Sequence, residues 1–168
     1  MVWDKGLDYE NAFSKILRHM AKAKVPAKCY DAILLVQLRN GSRVSEAVRA
    51  FKQFLATKSF ELQVPVSKKR GKREERLMII PQELQTIVPP CLDLKDVDEK
   101  VLVNRVKFHC VYTYNFNTHS LRYAFITYLL RQGVSPSIIA KITKHSRLDF
   151  ILTYTQEKAA EEILKKLG

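Results

Sequence analysis

The sequence predicts a mainly α-helical domain with one small antiparallel β-hairpin, and three observations lead there. Apolar residues recur at helical spacing through most of the chain. One segment, FELQVPV at 60–66, instead alternates as a half-buried strand does, and RLMIIP at 76–81 reads as its partner across the charged turn SKKRGKREE. Glycines and prolines are few, 5 and 6 in 168 residues, and 46% of the residues are apolar, so the composition is neither disordered nor fibrous. That length suits a single domain with a sizeable core.

Taken in order, residues 7–24 place Phe13, Ile16, Leu17 and Met20 on one helical face, and Pro26 punctuates the end. A second helix, residues 27–38, carries Tyr30, Ile33, Leu34 and Leu35 and stops at Asn40-Gly41. A third begins near Ser45, with Ala47, Val48, Phe51 and Phe54 on one side. After the hairpin, residues 81–104 read as loop mixed with short helix. The next stretch, VNRVKFHCVYTYNFN at 103–117, suggests a strand by its aromatic and β-branched content, with helix as the alternative. Residues 120–132 form a helix closed by Gly133, and Ser135-Pro136 caps another over 137–143. A polar-faced terminal helix, EKAAEEILKKL, completes the chain at about 157–168.

Charge narrows the function. Lys and Arg number 29 against 17 Asp and Glu, a formal +12, and such a balance favours a polyanionic partner whose condensed counterions are released on binding. No apolar run approaches a membrane span, and no signal-peptide core or lipidation motif is present. Cys29, Cys91 and Cys110 are odd in number and widely spaced, without a CxxC or CxxH pair. They read as buried free thiols, and therefore as a sign of a reducing, intracellular setting.

Three motifs carry chemistry. LRNGSRVSEAV sets Arg43 behind a glycine turn with Glu46 at the head of a helix, although Ser42 or Ser45 with Glu46 would also serve as an ordinary helix cap. THSLRYAFITYLL puts His119 and Arg122 on one helical face, where the plainest reading is a solvated pair. KHSRLDFILTYTQ supplies His145 and then Tyr154. Jointly, these are the groups needed to break a phosphodiester with a phenol. Two guanidiniums can grip the non-bridging oxygens of the phosphate. Imidazoles can donate hydrogen bonds or move protons near neutral pH. The phenol, with an ordinary pKa of about 10, needs positive charge or a base nearby to attack.

On these motifs the chain resembles the catalytic domain of the tyrosine recombinases, the phage-integrase family, and more loosely its archaeal viral and plasmid members. RVSE matches the family's first box, HSLRYAFITYLL its H-x-L-R-H-x-F-A-T helix, and KHSRLDFILTYTQ its L-G-H-S…Y-T-H ending. The intervals from Arg122 to His145 and from His145 to Tyr154 are also the family's. Three positions depart from the pattern: Tyr123 stands for a histidine, Lys144 for a glycine, and Gln156 for a histidine. Lys144 is expected to alter the local turn and add charge close to DNA.

The resemblance implies the tyrosine recombinase catalytic-domain fold over residues 1–168, without the N-terminal core-binding domain of full family members. It implies that Arg43, His119, Arg122 and His145 surround the scissile phosphate and that Tyr154 attacks it, forming a 3′-phosphotyrosyl link. Glu46 would support a catalytic side chain. A hairpin lysine would protonate the leaving 5′-oxygen; Lys69 fits the family's K-G-x-K-x-R pattern best, with Lys72 close behind. Lys68, Arg70 and Lys144 would contact DNA. The expected partner is double-stranded DNA, bound by a homotetramer through the C-terminal helix, with a monomer as the alternative off DNA. No cofactor or metal is required, because one phosphodiester is exchanged for another and arginines supply the charge. Two other functions fit the same features: a type IB topoisomerase-like nicking and resealing enzyme, and a non-catalytic DNA-binding module.

Overall fold

The computed structural model describes residues 7–67, 74–145 and 149–167. Eight helices and one two-stranded antiparallel sheet are described: α1 (Tyr9–Lys22), α2 (Ala27–Asn40), α3 (Val44–Thr57), β1 (Glu61–Pro65), β2 (Glu75–Ile79), α4 (Val88–Cys91), α5 (Glu99–Tyr114), α6 (Thr118–Arg131), α7 (Pro136–Thr143) and α8 (Asp149–Lys166). Short 3₁₀ turns at Gln82–Leu84 and Leu92–Asp96 flank α4. The expected class, mainly helical with one small hairpin, is what is observed.

Helix α2 is the axis of the molecule. Its residues from Ala32 to Leu38 are all buried, because α1, α3, α5 and α6 pack around it and β2 meets its C-terminal end. Gly41, with φ of 58°, ends α2 in the left-handed conformation, and its amide closes onto the Leu38 carbonyl. In the hairpin, Leu62 faces Met78 and Val64 faces Arg76, and these inward positions are the buried ones. The strand alternation read from the sequence therefore holds.

Two elements differ from expectation. Residues 99–114 form a helix, the alternative to the strand that their composition suggested: Asp98 accepts from the Lys100 and Val101 amides as its cap, and Leu102, Val106, Cys110 and Tyr114 line its buried side. The helical period is hidden in the sequence because Phe108, Val111 and Tyr112 put apolar residues on the solvent side as well. The terminal helix also starts earlier than expected, at Asp149, so Tyr154 and the tail share one continuous element.

The cysteine reading needs correction. Cys29 on α2 and Cys91 at the end of α4 form a disulfide across 62 residues of chain, with Cα atoms 5.8 Å apart. Only Cys110 is a free thiol; burial, and then the charge of Asp31, pushes its pKa up to about 12. Free cysteines therefore no longer argue for a reducing compartment. No helix among the described residues is long and apolar enough to cross a membrane.

Candidate active site

The turn from α2 into α3 builds the first half of the site. Arg43 is the extended residue that opens α3, and its amide donates to Glu46 Oε1 at 3.3 Å, so the cap partner of Glu46 is Arg43 itself and not Ser42 or Ser45 as the sequence suggested. The guanidinium then bends back onto the same carboxylate, with Nη1 3.0 Å from Oε2. Glu46 is fully buried and has further partners: the Ser67 amide at 3.1 Å and Arg76 Nη1 at 3.4 Å. One cap residue thus fixes Arg43 and pins the end of the hairpin from which the basic turn departs.

Sequence reasoning missed Arg76. It sits at an inward position of β2, only 2% exposed, and donates to the Asn40 carbonyl at 2.7 Å. An arginine in the inward slot of an alternating strand was the available signal, since such a charge requires a buried partner. Burial lowers its pKa, opposed by Glu46 and assisted by Arg43. Asn40 matters for the same junction: its side chain exchanges hydrogen bonds with both the amide and the carbonyl of Ile79, at 2.8 Å each, and so docks β2 against the end of α2.

Helix α6 supplies the second half. Asn117 caps it by accepting from the Ser120 amide at 3.0 Å. Gln37 then ties the two halves together, donating from Nε2 to the Ser42 carbonyl at 3.1 Å and to the Thr118 carbonyl at 3.0 Å. The solvated-pair reading of His119 and Arg122 fails for the arginine, which is only 1% exposed. Arg122 donates to the Gly41 carbonyl at 3.2 Å and to His145 Nδ1 at 2.9 Å. His119 is exposed at the start of the helix and meets Tyr123 edge-on, ring centroids 5.7 Å apart.

Because a guanidinium can only donate, His145 Nδ1 must be the unprotonated nitrogen, which leaves Nε2–H as a donor. Electrostatics agree. Burial first, then the charges of Arg122, Arg43 and His119, lower the His145 pKa to about 3. Burial and Arg43 likewise pull Arg122 down to about 9, Glu46 opposing and Arg76 assisting. Among the described carboxylates only Glu46 pairs with Arg43 and Arg76, and none pairs with Arg122. The cluster therefore keeps a buried excess of positive charge beside a neutral imidazole donor, an arrangement suited to an anion with several oxygens.

Lys144 stands just before His145. It closes α7 with φ at 58°, the left-handed conformation that glycine adopts most readily. Its ammonium reaches Glu74 at 3.1 Å, linking the end of α7 to the foot of the hairpin. Lys68, Lys69, Arg70 and Lys72 lie outside the described residues, and so does the side chain of Tyr154, whose backbone is in α8.

Comparison with known proteins adds to this geometry. The chain is 41% identical over 170 residues to "Putative integrase ORF241" of Acidianus two-tailed virus, covering 99% of this chain and 69% of that protein. The chain belongs to the family of that viral integrase. It is also 32% identical to an uncharacterized protein of Methanocaldococcus jannaschii, covering 99% of this chain and 89% of that one. A third relative, "Putative integrase V10" of the Sputnik virophage, is 27% identical over 98% of this chain and 89% of its own length. No family model and no solved structure matches.

Proposed function

We propose that this chain is the catalytic domain of a site-specific DNA recombinase that cuts and rejoins DNA through Tyr154. The observation that carries this reading is the Arg43–Arg122–His145 cluster, in which Arg43 shares the Glu46 carboxylate with Arg76 and the buried Arg122 has no carboxylate partner among the described residues. A scissile phosphate would supply the missing anion. Arg43 and Arg122 would hold its non-bridging oxygens, and Nε2 of His145 would donate a third hydrogen bond. The Tyr154 phenol gives its proton to water, and its oxygen bonds to phosphorus as the bond to the 5′-oxygen breaks. A hairpin lysine, Lys69 ahead of Lys72, gives that oxygen its proton, and His119 stands at the rim as a further donor. Attack by a 5′-hydroxyl reverses the steps and restores the phenol, so no high-energy co-substrate is consumed.

Supporting features lie around the cluster. The hairpin foot is anchored to Glu46 through Ser67, which would bring a basic turn to the same phosphate. The relatives named as integrases support DNA as the substrate. Exposed Ile163, Leu164 and Leu167 near the end of α8 would give the tail apolar surface for a neighbouring protomer in a tetramer on DNA.

The test uses nicked suicide duplexes with randomised arms, which trap any covalent adduct because the cut end diffuses away. Wild type should yield a protein–DNA adduct resistant to denaturant, and Tyr154→Phe should yield none. Arg43→Ala and Arg122→Ala should each slow single-turnover cleavage by roughly 10²-fold or more. DNA binding without any adduct would leave the non-catalytic module as the answer. Relaxation of supercoils without exchange between recovered sites would point to the topoisomerase-like activity.

A further inference from the structure

Away from this cluster, three helices bring His19, Asp31 and His109 together, and no part of the proposed strand transfer uses them. His19 is in the last turn of α1, Asp31 is on α2, and His109 is near the end of α5. His19 Nδ1 lies 2.5 Å from Asp31 Oδ2, and His109 Nε2 lies 2.7 Å from Oδ1. The ligand atoms of all three residues fall within 4.8 Å of one another. We infer that this cluster is a binding site for a divalent transition ion, Zn²⁺ by preference, held by His19 Nδ1, His109 Nε2 and the Asp31 carboxylate.

Four features support the assignment. First, the donor set suits the ion: two imidazole nitrogens and one carboxylate fit Zn²⁺ and its neighbours, whereas Mg²⁺ and Ca²⁺ want oxygen ligands. Tetrahedral Zn²⁺ with bonds of about 2.0–2.1 Å places ligands roughly 3.3 Å apart, so modest side-chain movement suffices.

Second, Asp31 is fully buried, yet its described hydrogen-bond partners are His19, His109 and the Tyr114 hydroxyl at 2.6 Å. None carries a permanent positive charge. A buried carboxylate requires a counter-charge, and a bound cation provides one directly.

Third, outer partners are already in position. Thr113 Oγ1 lies 3.2 Å from His109 Nδ1, and a hydroxyl can serve either tautomer of the ring. It donates to Nδ1 while Nε2–H bonds Asp31, and it accepts from Nδ1–H once Nε2 binds the ion. No net proton is gained or lost when a neutral ring makes that change. The Tyr114 hydroxyl holds Asp31 Oδ1 in the same fashion, as outer-shell groups do at metal centres.

Fourth, the site has an approach from solvent, because the His19 side chain is 40% exposed while that of His109 is 10% exposed. Water would complete the coordination on the His19 side. The ion would clamp the end of α1 to α2 and α5, a structural role.

This inference does not depend on the proposed recombinase activity. The test starts from chelator-stripped protein and follows Co²⁺ by its visible absorption bands and Zn²⁺ by calorimetry. One ion should bind per chain, and Zn²⁺ should raise Tm. His19→Gln and His109→Gln keep a donor for Asp31 and should each weaken binding by more than about 100-fold, while Thr113→Val should weaken it about 10-fold. His119→Gln, at the other histidine cluster, should leave it unchanged. If His109→Gln is poorly folded, the half-exposed His19→Gln decides. Absence of binding by the native chain, or binding that survives His19→Gln, would overturn the site and leave a hydrogen-bonded His–Asp–His network.

Discussion

Burial first, and then the neighbouring guanidiniums of Arg122 and Arg43, hold His145 neutral far below the usual histidine range, with Nδ1 engaged by Arg122. The unfolded chain takes up a proton here near the ordinary value of 6.5, the folded chain only near about 3. Between those values the unfolded state holds more protons, so stability rises with pH. His145 therefore contributes stability that is fully present above about pH 6.5 and is lost as the pH falls toward 3. Replacing it by glutamine should remove that dependence. The gap in urea-unfolding stability between wild type and His145→Gln should narrow steadily from pH 7 to pH 3.5; a constant gap would contradict the environment described. At Arg122 the lowered pKa means that burial works against its charge, and a docked phosphate would relieve that penalty.

The joint between α2 and α3 depends on one glycine. Gly41 is left-handed, and a Cβ built there would lie 2.1 Å from Cδ1 of Phe125 on α6. No side chain fits without moving that ring, and the Gly41 carbonyl is the acceptor that seats Arg122. Gly41→Ala should accordingly destabilise the fold by about 2–4 kcal/mol, combining left-handed strain with overpacking. Denaturant titration checks this, and an effect under 1 kcal/mol on that scale would refute the packing argument. Lys144 shows the contrasting case: it takes up the left-handed conformation with a full side chain, whose ammonium reaches Glu74.

Over the whole molecule, the Cys29–Cys91 disulfide ties the central helix to the α4 segment and closes a 62-residue loop. Such a crosslink restricts the unfolded chain, and the Cys29→Ala/Cys91→Ala chain should lose about 2–4 kcal/mol of unfolding free energy by urea titration. Equal stability with and without the pair would show that the link adds nothing. The sequence had no means of revealing it, since pairing depends on which thiols meet in space.

The parts of the fold that were legible are those encoded by near neighbours. Helical spacing marked α1, α2, α3, α6 and α7, alternation marked the hairpin, and Asn40-Gly41 and Ser135-Pro136 marked boundaries. Helix α5 was obscured because apolar residues lie on both its faces, which removes the periodic contrast. The motifs named Arg43, Glu46, Arg122 and His145 as belonging together, and folding does bring those four into one cluster. Only the tertiary structure decided that Arg122 is buried, that Arg76 shares Glu46, that Cys29 meets Cys91, and that His19, Asp31 and His109 converge. The physical reason is one of range. Caps, turns and amphipathic periods are set within a few residues, whereas buried partners are chosen by how whole helices pack around α2.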